Sequence, residues 1–300
     1  MFSQKGINGT TKNYWDNIRH ATELMQSAEY FIVGIGSGMT AAGGLCYTDP
    51  KLAQKWYPEY FALGKKSIVD IMSNFWPPAL SKKNVTTFWG FWAKHIYHIR
   101  YEADVLQPYT DLFTLLKNKR YFICSTNVDG QLEKAGFAPE DIFAPQGDYA
   151  LFQCQRPCSR SVCNNRNQIG IMLENMINGT EISSSDIPYC PSCGRFMIPH
   201  LRCDVNFIET FRTQQNAVRY GKYIKKTVEK RCVFLELGVG FNTPSIIRFP
   251  FEKLALANDN ASLVRVNITH GTVPAQLTKK CIVIAADICG VLNDIIAVIE

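Results

Sequence analysis

The sequence predicts an α/β protein built on a mostly parallel sheet with helices on both faces, interrupted by a smaller cysteine-rich part. Three observations carry this. Apolar runs of strand character recur at residues 30–34, 121–124, 232–237, 262–268 and 281–285, separated by stretches of helical pattern or longer insertions. The first of them enters a glycine-rich turn, the pattern of a strand–turn–helix unit. Between residues 150 and 205 the composition shifts to cysteine, asparagine and serine with little apolar periodicity.

Taken in order, the chain opens on a polar segment, residues 1–12, without the apolar stretch of a secretory leader. A helix is predicted over 15–28, then the strand Tyr30-Phe31-Ile32-Val33-Gly34 and a turn reaching Gly44. From Cys46 to about Tyr109 the chain is aromatic-rich and helical. Trp89, Trp92, His95, Ile96 and Ile99 fall three and four apart, which reads as a packed helix; His95 and His98 show no partner signature. After the strand at 121–124 come Ser125-Thr126-Asn127-Val128-Asp129-Gly130 and a short helix to Gly136. A polar helix over 209–230 precedes the last three strands, and a helix over 291–299 closes the chain.

Composition sets the bounds. A chain of 300 residues, 46% hydrophobic and 19% charged, suits one large α/β domain with a smaller module. No apolar run of about 18 residues occurs, so a membrane span is not expected and a cytoplasmic location is. The net charge of +6 is scattered. Its densest group, Lys222, Lys225, Lys226, Lys230 and Arg231, has helical spacing and reads as a solvated face rather than a nucleic-acid surface. The eleven cysteines are an odd number, which speaks against a complete disulfide framework. Cys46, Cys124, Cys203, Cys232, Cys281 and Cys289 sit singly and read as core residues.

Of four stretches singled out, three point to a nucleotide crevice. In Gly36-Ser37-Gly38-Met39-Thr40-Ala41-Ala42-Gly43-Gly44 the glycines after a strand let the backbone approach a pyrophosphate. A tight strand–helix turn has the same look. No acidic residue follows about 20 positions on at the end of a second strand, which disfavours ordinary hydride transfer. Residues 125–130 put small polar side chains beyond a strand's carboxyl end, where a doubly wound sheet binds its ligand; an Asn-Asp turn would read alike. Ala144-Pro145-Gln146-Gly147 is uninformative alone. Leu235-Glu236-Leu237-Gly238-Val239-Gly240-Phe241-Asn242-Thr243-Pro244 runs from a strand into glycines and suits a second wall of the crevice.

A fifth set asks for a metal. Cys154-x3-Cys158 and Cys190-x2-Cys193 are two thiolate pairs, each short enough to clamp one side of a tetrahedral zinc. Four thiolates close the coordination sphere, the structural rather than the catalytic pattern. Cys163 and Cys203 are spare candidates.

In this order the pieces resemble the sirtuin family over most of the chain. The stretch from Gly36 to Leu45 is similar to its GAGxSxxSGI loop, and 125–136 to TQNIDGLHxxAG. Ala144-Pro145-Gln146-Gly147 stands where ELHG belongs, the cysteine pairs follow, and Gly238-Val239-Gly240 takes the place of the GTS turn. The resemblance implies a Rossmann-like parallel sheet with a small domain made of a zinc-ribbon module and a helical module. It assigns Rossmann parts to residues 1–45, 110–150 and 206–300, the helical module to about 46–109 and the zinc module to about 151–205. It implies an NAD site of Gly36, Ser37, Gly38, Thr40, Thr126, Asn127, Asp129, Gln146, Gly238, Val239, Gly240, Asn242, Asn267, Asp287 and Ile288. Within it, Asn267 would meet the adenosine ribose, and Asp287 and Ile288 the adenine.

Two departures matter. Where the family has Pro-Asp-Phe-Arg after the glycine loop, this chain has Cys46-Tyr47-Thr48-Asp49, so the cover of the nicotinamide ribose must be built differently. And Gln146 replaces the catalytic histidine. An amide does not titrate near neutrality, so Gln146 orients a hydroxyl but is no general base; losing such a base costs about 10²–10⁴-fold. Deacylation is therefore disfavoured, while the earlier step, departure of nicotinamide, needs no base. The catalytic set is then Asn127 for the ribose hydroxyls, Asp129 for the nicotinamide carboxamide, and Gln146.

A branch of the family, the macrodomain-linked sirtuins, resembles the chain in Pro145-Gln146-Gly147, Cys154-Gln155-Arg156-Pro157-Cys158, Pro199-His200-Leu201-Arg202-Cys203-Asp204, the stretch from Glu236 to Pro244 and the helix from Trp92 to Tyr97. That resemblance implies mono-ADP-ribosyl transfer from NAD to a lipoyl-carrier protein, reversed by a partner macrodomain hydrolase. Arg202 either meets an acidic acceptor or makes a structural ion pair. The competing readings are an NAD hydrolase, for which 300 residues leave no room for the usual sensing domain, and a non-catalytic NAD-binding regulator.

Overall fold

The computed structural model describes residues 10–300; the opening segment read above for a leader lies partly outside them, at 1–9. Six strands form one parallel sheet in the order β3-β2-β1-β7-β8-β9. They are β1 (Tyr30–Ile35), β2 (Tyr121–Ser125), β3 (Ile142–Phe143), β7 (Cys232–Leu237), β8 (Ala261–Val266) and β9 (Cys281–Ile284). A parallel sheet covered on both faces reads as near-continuous apolar runs, and β7 is buried throughout, its Glu236 included. On one face α1 (Thr10–Ser27), α7 (Gln107–Leu116) and α12 (Ile288–Ile299) close a core around Ile18, Val33, Leu112, Val264 and Leu292. On the other, α10 (Phe211–Lys226) and α11 (Arg248–Ala257) cover Ile32, Phe234 and Leu263.

The strand order reverses between β1 and β7, which pair from Tyr30↔Cys232 to Ile35↔Leu237. In such sheets the crevice beyond the carboxyl ends at this switch point is the place for a ligand. The chain leaves β1 there through α2 (Ser37–Ala42) and returns through the loop after β7.

The smaller part has two contributions. One is helical: α3 (Pro50–Trp56), α4 (Pro58–Ala62), α5 (Ile68–Met72) and α6 (Val85–Ile96), which widens into a π-helical turn at Tyr97–Glu102. The other is an antiparallel sheet in the order β5-β4-β6, with β4 (Gly147–Cys154), β5 (Val162–Asn164), β6 (Met197–Leu201) and the helix α9 (Arg166–Glu174). The two share a single core, in which Trp89 on α6 packs edge-on to Phe152 on β4 with ring centroids 4.7 Å apart. Short strands with polar surroundings gave little period to read in 150–205. This sheet starts at Gly147, directly after Gln146.

Among the described residues no helix is long and apolar enough to cross a membrane. The cluster of lysines on α10 is largely solvated: Lys222 and Lys225 lie on a helix whose one buried residue is Asn216.

Candidate active site

Backbone meets backbone where the first and last loops converge. The Gly36 N–H donates to the Leu237 carbonyl and the Gly38 N–H to the Gly238 carbonyl, each at 3.0 Å. A Cβ on Gly38 would stand 2.6 Å from the Gly238 Cα, and Gly238 itself has φ +64°, a conformation side chains resist. Glycine at 36, 38 and 238 is thus demanded by the approach of two loops.

Against this frame sits a four-membered network. The Asn127 amide nitrogen lies 3.0 Å from the Gly36 carbonyl, 3.0 Å from Thr40 Oγ1 and 2.9 Å from the Tyr109 hydroxyl. Asp129 accepts from Thr40 Oγ1 at 2.6 Å through Oδ2 and from the Gln131 N–H at 3.0 Å through Oδ1. Burial raises the Asp129 carboxyl above its ordinary value, while the Thr40 and Gln131 bonds pull the other way. Asp129 also holds Thr40 and the helix after it in place, a duty the sequence did not announce. Arg100, from the π-helical turn, lies over Gly130 and pairs with Asp148 at 2.9 and 3.3 Å.

These residues open on a cleft of about 440 Å³, a size suited to a small organic ligand. Ser37, Gly38 and Thr40 line one side, Thr126, Asn127 and Asp129 the next, and Asn242 another. Leu45, Cys46, Tyr47 and Thr48 close it from above together with Tyr149 on β4. Cys46, read from the sequence as a core residue, stands instead at the cleft wall, because the segment after α2 folds over the cleft. Of the other single cysteines, Cys124 and Cys232 are buried, and Cys203, Cys281 and Cys289 are partly so.

Gln146 stands one residue before β4 and is not part of the wall of this cleft. Its carbonyl accepts from the Arg202 N–H at 3.0 Å, and its Oε1 is buried with no hydrogen-bond partner among the described residues. The Tyr149 N–H donates to the Val128 carbonyl at 3.0 Å, which ties the start of β4 to the loop that carries Asn127 and Asp129. Arg202 bonds the Pro145 carbonyl at 2.8 Å and makes an ion pair with Glu209 at 2.6 Å.

The remaining expected ligand residues hold one another. Asn267 donates to the Val239 carbonyl at 3.0 Å and accepts from the Thr269 and His270 N–H groups at 3.0 Å each. Its amide is thus engaged in shaping two loops. Val239 is buried and Gly240 lies by the His270 ring. Asp287 caps α12, accepting from the Gly290 N–H at 3.1 Å, and Ile288 belongs to the core. Beneath these loops, Glu236 pairs with Arg265 at 2.7 Å, and Arg248 donates to the carbonyls of His270 at 3.0 Å and Thr272 at 2.6 Å. This buried charge network pins the rim, and Glu236, hidden in an apolar strand run, gave no sequence signal for it.

At the far end of β4 the four expected thiols come together. Cys154 Sγ lies 3.7 Å from Cys193 Sγ and Cys158 Sγ lies 3.5 Å from Cys190 Sγ. All four sulfurs fall within 4.8 Å of one another. Zinc bonded to sulfur at about 2.3 Å in a tetrahedron sets its ligands about 3.8 Å apart, which these edges match. A disulfide needs about 2.05 Å. Cys163 pairs with Phe152 across β5 and β4 and stays outside the set, as does Cys203.

Comparison with known proteins places this geometry. No family model matches the chain. A protein ADP-ribosyltransferase of Staphylococcus aureus is 25% identical over 90% of this chain and 84% of its own length. A probable bifunctional ADP-ribose hydrolase/ADP-ribosyltransferase of Fusarium oxysporum f. sp. cubense is 27% identical over 83% of the chain, which spans only 42% of that relative. Among solved structures, one described for the mechanism and regulation of Sir2 enzymes superposes with TM-score 0.57 at 18% identity, covering 94% of this chain and 97% of its own. A Sir2 homologue in complex with NAD gives TM-score 0.57 at 11% identity, with 94% and 93% covered. The likeness to these structures establishes the fold as that of the sirtuins.

Proposed function

We propose that this sirtuin-fold chain is an NAD-dependent protein mono-ADP-ribosyltransferase that releases nicotinamide and passes ADP-ribose to a protein acceptor. One observation carries the reading. The cleft keeps the amide–carboxylate pair of Asn127 and Asp129, joined through Thr40 and Tyr109, while among the described residues no histidine lines it and glutamine stands at 146. That set orients a sugar and tolerates developing positive charge beside a buried carboxylate; it lacks a base for the later steps of deacylation.

In the reaction the bond between the ribose carbon and nicotinamide breaks, and both electrons leave with the ring nitrogen, which becomes neutral. A lone pair of the acceptor then forms the new bond to that carbon, and the acceptor's proton passes to solvent. Asn127, anchored through its amide nitrogen, presents its carbonyl oxygen to a ribose hydroxyl. The names of the two curated relatives support transfer of ADP-ribose as the outcome.

Cys154, Cys158, Cys190 and Cys193 would hold a zinc ion, which would tie the end of β4 to the turn before β6 and take no part in chemistry. For the acceptor, the resemblance in 145–147 and 199–204 favours a lipoyl-carrier protein, with a macrodomain hydrolase as the enzyme that reverses the modification. The test is to incubate the protein with NAD and a lipoylated carrier, then measure nicotinamide and the carrier's mass. Nicotinamide with a carrier heavier by one ADP-ribose supports the proposal. Free ADP-ribose with unmodified carrier supports hydrolysis, and a deacylated peptide in a parallel assay overturns the reading.

A further inference from the structure

His95 and three tyrosines, far apart in sequence, form one buried chain that ends at the cleft. The His95 ring on α6 is fully buried, its Nδ1 2.9 Å from the Tyr57 hydroxyl and its Nε2 3.2 Å from the Tyr149 hydroxyl. Tyr47 packs edge-on to the His95 ring with centroids 5.0 Å apart. Tyr47 and Tyr149 both line the cleft, as do Asn127 and Asp129.

A neutral imidazole has one donor and one acceptor, so one of the two tyrosine hydroxyls donates to the ring and the other accepts from it, and both nitrogens are satisfied. Burial keeps His95 neutral, with its pKa lowered to about 3. A group so hard to protonate does not serve as a base near pH 7; it orients its neighbours. Phe91 stacked on the ring at 5.4 Å, with Trp92 edge-on at 5.6 Å, leaves the imidazole no room to turn.

We infer that Tyr149, held by His95 and Tyr57, is a positioning residue that with Tyr47 forms the cover over the nicotinamide ribose. This takes up the duty of the aromatic and arginine that the segment after the glycine loop lacks. The chain fixes two phenols in the same lining as Asn127 and Asp129, so a ribose in the cleft meets defined hydrogen-bonding groups from both parts of the fold. The inference rests on the proposed use of NAD.

Tyr149→Phe keeps the ring and deletes the hydroxyl, and His95→Phe deletes its support from behind. Both are compared with the unaltered protein for nicotinamide release across NAD concentrations and for thermal melting. The expected result is a kcat lower by about five- to tenfold in both, the size of one hydrogen bond lost at the transition state. The KM for NAD stays within about threefold and the Tyr149→Phe melting temperature barely moves. Unchanged kcat in Tyr149→Phe overturns the inference while leaving the functional reading standing. So does a loss of kcat that only follows a fall in melting temperature. If the unaltered protein itself releases no nicotinamide, the functional reading falls and this inference with it.

Discussion

Acid should weaken this protein through His95, and one substitution isolates the effect. The ring is fully buried among Tyr47, Tyr57, Phe91, Trp92 and Tyr149. Burial foremost, and His98 next, lower its pKa from 6.5 to about 3. Unfolding exposes an ordinary imidazole, so below pH 6.5 the unfolded chain binds a proton that the folded chain refuses. Stability from this group is therefore whole above pH 6.5 and drains as pH falls toward 3. At pH 5 the gap is about 1.5 pH units below the ordinary value, worth about 2 kcal/mol, and at pH 7.5 it is close to nothing. His95→Gln retains a hydrogen-bonding side chain and has no such titration. Urea unfolding of both proteins at pH 7.5 and pH 5 gives four midpoints. The unaltered protein should lose about 2 kcal/mol more than His95→Gln between the two pH values. Other buried histidines, such as His200, are present in both proteins and cancel in the comparison. Equal losses in the two proteins would refute the claim that His95 is held neutral.

Metal analysis of the purified protein should find one zinc per chain, and Cys193→Ser should hold none. Because the thiol module shares its core with α6, that variant should melt lower by about 10 °C or more. A zinc-free protein with an unchanged melting curve would remove the metal from the account. Asn127→Ala deletes the contacts to Gly36, Thr40 and Tyr109 together with the group offered to the ribose, and nicotinamide release should fall by about 10²-fold or more. A variant that still binds NAD with full turnover would show that Asn127 is only scaffolding.

The sheet was legible because its information is local. Each of β1, β2, β7, β8 and β9 is a short apolar run followed by small polar residues, and fully covered parallel strands must read that way. Asn127, Asp129 and the glycines at 36 and 38 were legible for a related reason, since loops at a switch point carry their chemistry in consecutive residues. The cover of the cleft was not. Tyr47, His95 and Tyr149 come from three elements, and a histidine on an apolar helix face looks like packing until its two partners are seen. Asn267 and Asp287 stand where the resemblance puts ligand residues, and their polar atoms also bond the protein's own loops. A side chain's type and place are written in the sequence, but whether its hydrogen-bonding capacity is already engaged depends on backbone that arrives from elsewhere.

Gln146 brings these strands together, because its buried oxygen is left without a partner among the described residues. An unsatisfied buried acceptor costs a folded protein about 1–3 kcal/mol, so nothing in stability alone favours it there. A structural reading of glutamine predicts that its removal hurts the fold. A site reading predicts the reverse, since the side chain then costs stability and is kept for what it does in the reaction. Gln146→Leu, similar in volume and without polar atoms, decides between them. The expected outcome is a protein as stable as the original or more so by about 1 kcal/mol in urea unfolding. Its ADP-ribose transfer should fall by about tenfold or more. Loss of stability with activity retained would assign Gln146 to the scaffold, and the absence of a histidine at 146 would then say nothing about which reaction the cleft performs.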